Sequence, residues 1–107
     1  MNKHIEAIEK ALEHAKAKHP HFCDEMCNSH TLGQSRETLK FQREMLKRQV
    51  EGGYASAVTI LVCELAEAIE AFSRGDYAHC LEELAQVGAV NIRMMEAVEE
   101  KMKVGQS

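Results

Sequence analysis

With 107 residues, 45% of them apolar and 28% charged, the chain has room for one domain with a modest core, and it lies outside the low-hydrophobicity, high-charge range of disordered proteins. A net charge of −4 excludes a general electrostatic attraction to nucleic acid or to an anionic membrane, because either partner would repel the average surface; a local basic face stays open. One proline, six glycines and no tryptophan, in a chain rich in alanine, glutamate, leucine, lysine and methionine, make all-α the expected fold class.

The N-terminal residues Asn2, Lys3, His4 and Glu6 lack the apolar core of a secretory signal. The most apolar stretch, Ala57 to Cys63, is too short to span a bilayer. A cytoplasmic protein is therefore expected, with Cys23, Cys27, Cys63 and Cys80 as thiols rather than disulfides.

Ile5, Ile8, Leu12 and Ala15 recur at three- and four-residue steps, which predicts an amphipathic helix from Met1 to about Lys18, stopped by His19-Pro20. Residues 20–34 keep no period and read as a structured loop with at most a short helical turn. Ser35 can cap a second helix to about Glu51, in which Leu39, Met45, Leu46 and Val50 supply apolar surface and Gly52-Gly53 supply the end. A third helix follows from about Ala55 to Ser73, since Val58, Leu61, Val62, Leu65, Ala66, Ile69 and Phe72 keep helical spacing. Arg74-Gly75 suits its end, and Asp76 suits the N-cap of a fourth helix reaching about Lys103, with residues 104–107 frayed. The short connection makes helices three and four antiparallel neighbours, so the expected architecture is a four-helix antiparallel bundle in a single domain over 1–107, with core helices from about 35 to 103. No internal repeat, low-complexity tract or interdomain linker interrupts it.

At about 100° per residue, Glu64 and Glu67 project from the same flank of helix three, and Glu70 extends the row by a turn. Helix four carries Glu82 and Glu83, with Gln86 a turn beyond Glu83. Glu64 and Glu83 lie about equally far from the turn at Gly75, so an antiparallel hairpin brings the acidic flanks together. Like charges so placed repel unless a cation lies between them, and Mg²⁺ takes oxygen ligands from carboxylates, water and phosphate. Glutamates at this spacing are also ordinary on solvated helix faces. Against that, Glu64 and Glu67 sit within the apolar segment Leu61 to Ile69, at the edge of a core.

The stretch Ile60 to Met95, ILVCELAEAIEAFSRGDYAHCLEELAQVGAVNIRMM, resembles the MazG-like all-α nucleoside triphosphate pyrophosphohydrolases, whose pattern is E-x-x-E, a spacer, then E-x-x-D on adjacent helices. The resemblance covers about one third of the chain and implies that Glu64, Glu67 and Glu83 are catalytic ligands of Mg²⁺, or of Mn²⁺ in its place, with Glu70 or Gln86 assisting. Gln86 stands where the pattern has aspartate, and an amide oxygen cannot compensate a dication as a carboxylate does. From Glu83 to Arg93 the sequence is similar to small phage-encoded members that carry E-L-hydrophobic-Q and end in arginine. The family further implies a nucleoside or deoxynucleoside triphosphate substrate, cleaved between the α and β phosphates to monophosphate and pyrophosphate, and a homodimer or homotetramer.

Arg36, Lys40, Arg43 and Lys47 form a basic stripe on helix two. It reads either as a solvated face interleaved with Glu37 and Glu44 or as a phosphate contact, for which Lys47, Arg43 and, from helix four, Arg93 are the candidates. His19, His21, Cys23, Cys27 and His30 invite a zinc reading, but one C-x₃-C without a second paired unit fits a polar loop better. Cys63 and Cys80 read as packing residues, Met94, Met95 and Met102 as core or interface filler, and His79 as a residue without function near the start of helix four. Three function classes compete: a metal-dependent pyrophosphohydrolase, a nucleotide-binding module without turnover, which Gln86 favours, and a structural helical oligomer that binds no nucleotide.

Overall fold

The computed structural model describes residues 2–18, 26 and 29–106, and for 29–36 and 106 the backbone alone. The protein is all-α, with α1 (Lys3–Lys18), α2 (Ser29–Gly52), α3 (Ala57–Ser73) and α4 (Tyr77–Gln106), and no strand occurs among the described residues. None of these helices is long and apolar enough to cross a membrane. The chain divides into two compact units, Met1–Met26 with Ile92–Ser107 and Cys27–Asn91, and α4 contributes to both.

Two helix ends differ from expectation. α2 begins at Ser29 rather than Ser35, so the second half of the expected loop is helical. Gly33 costs a helix only about 1 kcal/mol relative to alanine, which a helix of 24 residues absorbs. α4 continues to Gln106, past the expected end at Lys103, and Lys103 pairs with Glu99 at 3.8 Å and Glu100 at 3.3 Å in its last turns. The expected stop at His19-Pro20 lies outside the described residues, as do His21, Cys23, Cys27 and the side chain of His30.

In the unit Cys27–Asn91, two glycines turn the chain. Gly53 (φ 75°) ends α2 and Gly75 (φ 76°) ends α3, each in the left-handed region that a Cβ disfavours. Both ends close in the same way: Gly53 N–H donates to Val50 O and Tyr54 N–H to Gln49 O, while Gly75 N–H donates to Phe72 O and Asp76 N–H to Ala71 O. The next helix is capped at once. Ser56 Oγ accepts from Thr59 N–H at 3.2 Å and Asp76 Oδ1 from His79 N–H at 3.2 Å.

α3 packs along α2, and Cys63 Sγ donates to Gln42 O across that contact. Its other neighbour is the start of α4, through a core of Ala68, Ala71 and Cys80 flanked by Phe72 and Leu84. Phe72 and Tyr77 close the turn, ring centroids 5.4 Å apart. The buried face of α3 is Cys63, Ala66, Ala68 and Ala71, whereas Val58 and Leu65, expected inside, are exposed. Small side chains let the helix backbones approach, and the larger ones are pushed to the rim.

In the other unit, Asn2 Oδ1 caps α1 by accepting from His4 N–H at 2.7 Å. Lys3 Nζ pairs with Glu99 of α4 at 2.6 Å, holding that carboxyl below its usual range. α1 buries no residue, and Ile5, Ile8 and Leu12 of its apolar face remain exposed.

Candidate functional site

The hairpin of α3 and α4 brings three acids to one place. One carboxylate oxygen each from Glu64, Glu67 and Glu83 lies within 4.8 Å of the other two. The i, i+3 step puts Glu64 and Glu67 on one flank of α3, and the turn at Gly75 sets Glu83 opposite them. Glu83 is the deepest, 8% exposed, while Glu64 and Glu67 are half-buried.

Burying three like charges raises the affinity for a proton or a cation. Glu64 is pushed up to about 7, first because its protonated form can donate a hydrogen bond to Glu83, then by burial and by the charges of Glu83 and Glu67. Glu67 is raised too, by burial first and then by Glu83, with the Arg43 guanidinium opposing. Glu83 is held below the usual carboxylate range, by the hydrogen bond from Glu64 first and by His79. Of the pair, Glu64 is the one that takes a proton first as pH falls, and Glu83 the one that stays ionised.

The Glu83 carboxylate is held on one side only. His79 Nε2 lies 3.1 Å from Glu83 Oε1, one helical turn back on α4. Glu83 Oε2 is buried and has no hydrogen-bond donor among the described residues while its neighbours are ionised. Cys63, between the acids and α2, is a buried thiol pushed up by burial and by Glu67 and Glu64, which makes it inert packing rather than a nucleophile.

The remaining candidates are dispersed. Glu70 stands outside the three-acid group, with Oε2 on Arg43 Nη2 at 2.9 Å and Oε1 on Arg74 Nη1 at 2.7 Å. Arg43 is thus committed to an acid, yet near enough to the group to oppose the rise at Glu67. Lys47, a turn further along α2, and Gln86, a turn beyond Glu83, are exposed. Arg93 belongs to the other unit, where it lines a cleft of about 630 Å³ with Asn2, Lys3, His4, Glu96 and Glu99. Sequence reasoning missed His79, although its i, i+4 step to Glu83 was a usable signal.

Hard oxygen donors suit Mg²⁺, Mn²⁺ or Ca²⁺ rather than a soft metal. In an octahedral Mg²⁺ shell at about 2.1 Å, neighbouring oxygens are about 3.0 Å apart and opposite ones about 4.2 Å, so a group within 4.8 Å reaches ligating distance by side-chain movements of up to about 2 Å. The donor set fits a hard divalent ion, and the buried, undonated oxygen of Glu83 is where such an ion would relieve the largest penalty. The chain matches no protein-family model, no curated protein and no solved structure.

Proposed function

We propose that Glu64, Glu67 and Glu83 hold a divalent cation, Mg²⁺ or Mn²⁺, and that the protein is a metal-dependent nucleoside triphosphate pyrophosphohydrolase of the MazG-like kind. The observation that carries this reading is the convergence of Glu64 and Glu67 on the buried Glu83, whose Oε2 is buried and has no donor among the described residues once its neighbours are ionised. When bound there, a divalent ion would supply Lewis acidity to a polyphosphate and to an attacking water. The chain's own residues do the rest. The acids would hold the ion, and Lys47, with Arg43 where Glu70 releases it, would balance the charge of the polyphosphate cleaved between its α and β phosphates. Water is the nucleophile, and no covalent intermediate is required.

A second reading is favoured by Gln86, an exposed amide where the family pattern has an acid: the same site binds a nucleotide without cleaving it. A homodimer or homotetramer is part of the proposal. It is supported by the absence of any fully buried large side chain among the described residues and by exposed Ile5, Ile8, Leu12, Val98 and Met102.

The test is pyrophosphate release from a panel of nucleoside triphosphates with Mg²⁺, Mn²⁺ or chelator, beside Glu67→Gln. Metal-dependent release that disappears in the variant supports hydrolysis. Absence of release with thermal stabilisation by a nucleotide supports the binding module, and neither release nor stabilisation leaves a structural helical protein.

A further inference from the structure

His79 touches the acid group without belonging to it. The atoms of Glu64, Glu67 and Glu83 that gather within 4.8 Å include none from His79, so the imidazole stands behind Glu83 rather than beside the prospective ligands. Its Nε2 lies 3.1 Å from Glu83 Oε1. Its Nδ1 lies 3.7 Å from Asp76 Oδ2, too far for a hydrogen bond. Asp76 is itself fixed, because its other oxygen caps α4 by accepting the His79 backbone N–H at 3.2 Å. The ring is thereby held through Nε2 and its backbone through the cap, with the side chain 41% exposed and Glu83 almost covered.

A carboxylate rotating freely about its last bonds must be ordered before it can ligate. A donor on one oxygen removes that freedom and assigns the other oxygen to the ligand, as partners behind metal-binding carboxylates do. Here the oxygen left over is Glu83 Oε2, which is buried and lacks a donor among the described residues once Glu64 and Glu67 are ionised.

We infer that His79 is a positioning residue of the acid site: its imidazole holds Oε1 of Glu83 and leaves Oε2 as the oxygen offered to a divalent cation. The inference rests on the metal-binding reading above. The i, i+4 step on α4 and the Asp76 cap are the local features that build it, and both belong to the chain's own secondary structure rather than to any ligand.

The test uses Mn²⁺ alone, titrated into the 107-residue chain and followed by electron paramagnetic resonance, for wild type, Glu67→Gln, His79→Ala and His79→Gln. Because His79 is partly exposed, its variants are expected to stay folded, which circular dichroism checks. We expect Glu67→Gln to abolish binding, His79→Ala to weaken it about 10- to 100-fold, and His79→Gln, which keeps an N–H donor within reach, to recover most of the loss. Wild-type affinity in His79→Ala, with Glu67→Gln inactive in binding, overturns the role of His79 and leaves the metal site standing. A nitrogen hyperfine coupling on bound Mn²⁺ that vanishes in His79→Ala also overturns it, since the imidazole would then be a ligand. No Mn²⁺ binding by wild type overturns both readings together.

Discussion

Glu64 and Glu83 divide a proton unequally, and the division has a sign that stability measurements can read. Glu64 rises from 4.5 to about 7 in the folded chain, so its contribution to stability is complete below 4.5 and is lost as pH climbs through about 7. Glu67 shifts in the same direction. Glu83, held low, contributes instead at pH above its ordinary value and loses that contribution on acidification. In chelator, we therefore expect the melting temperature to fall between pH 4.5 and about 7, and Glu64→Gln to flatten the fall and to melt higher than wild type above it. A melting temperature independent of pH across that window would contradict the assignment. At this scale the three-acid group was legible, because spacing from Gly75 and a helical period suffice to place Glu64, Glu67 and Glu83 together. Glu70 was not, because its partner Arg43 lies 27 residues away and no local pattern announces that ion pair.

The hairpin that assembles the site is set by its turn and its caps. Gly75 has φ 76°, so Gly75→Ala places a Cβ in a left-handed conformation and should cost about 1–2 kcal/mol, read as a lower denaturant midpoint with unchanged slope. Ser56→Ala removes the cap of α3 and should cost about 1 kcal/mol by the same measurement. Ala68, fully buried between α3 and α4, has no room to grow; Ala68→Leu should cost about 1–3 kcal/mol and spread the acids, lowering metal affinity as well. The ends at Gly53, Gly75 and Asp76 were readable because glycine and aspartate mark helix termini for stereochemical reasons, whereas the Ser56 cap falls inside the helix expected from about Ala55. The start of α2 was not, since Gly33 and Ser35 look like a break while a long helix carries them at modest cost. The identity of the buried face of α3 was also hidden. Periodicity selects the large apolar residues, whereas close approach of helices selects Ala66, Ala68 and Ala71.

For the whole molecule, the apolar surface left on α1 and on the end of α4 has a consequence in solution. If it is covered by a second copy, sedimentation gives a dimer or tetramer, melting temperature rises with protein concentration, and Ile8→Lys with Met102→Lys shifts the chain toward monomer. A concentration-independent monomer would contradict that part of the proposal. The composition announced an all-α protein, but how much apolar surface stays exposed depends on which helices meet, and that is a property of the tertiary structure. The metal binding proposed for the acids joins these scales, because a cation there would compete with a proton on Glu64, whose carboxyl is pushed up to about 7. Near pH 7, in weak buffer, Mg²⁺ added to the protein should release protons in a saturable titration, and Glu64→Gln should sharply reduce the release. Saturable binding without proton release would contradict the proton-sharing site, and no binding at all would remove the metal from the function of this protein.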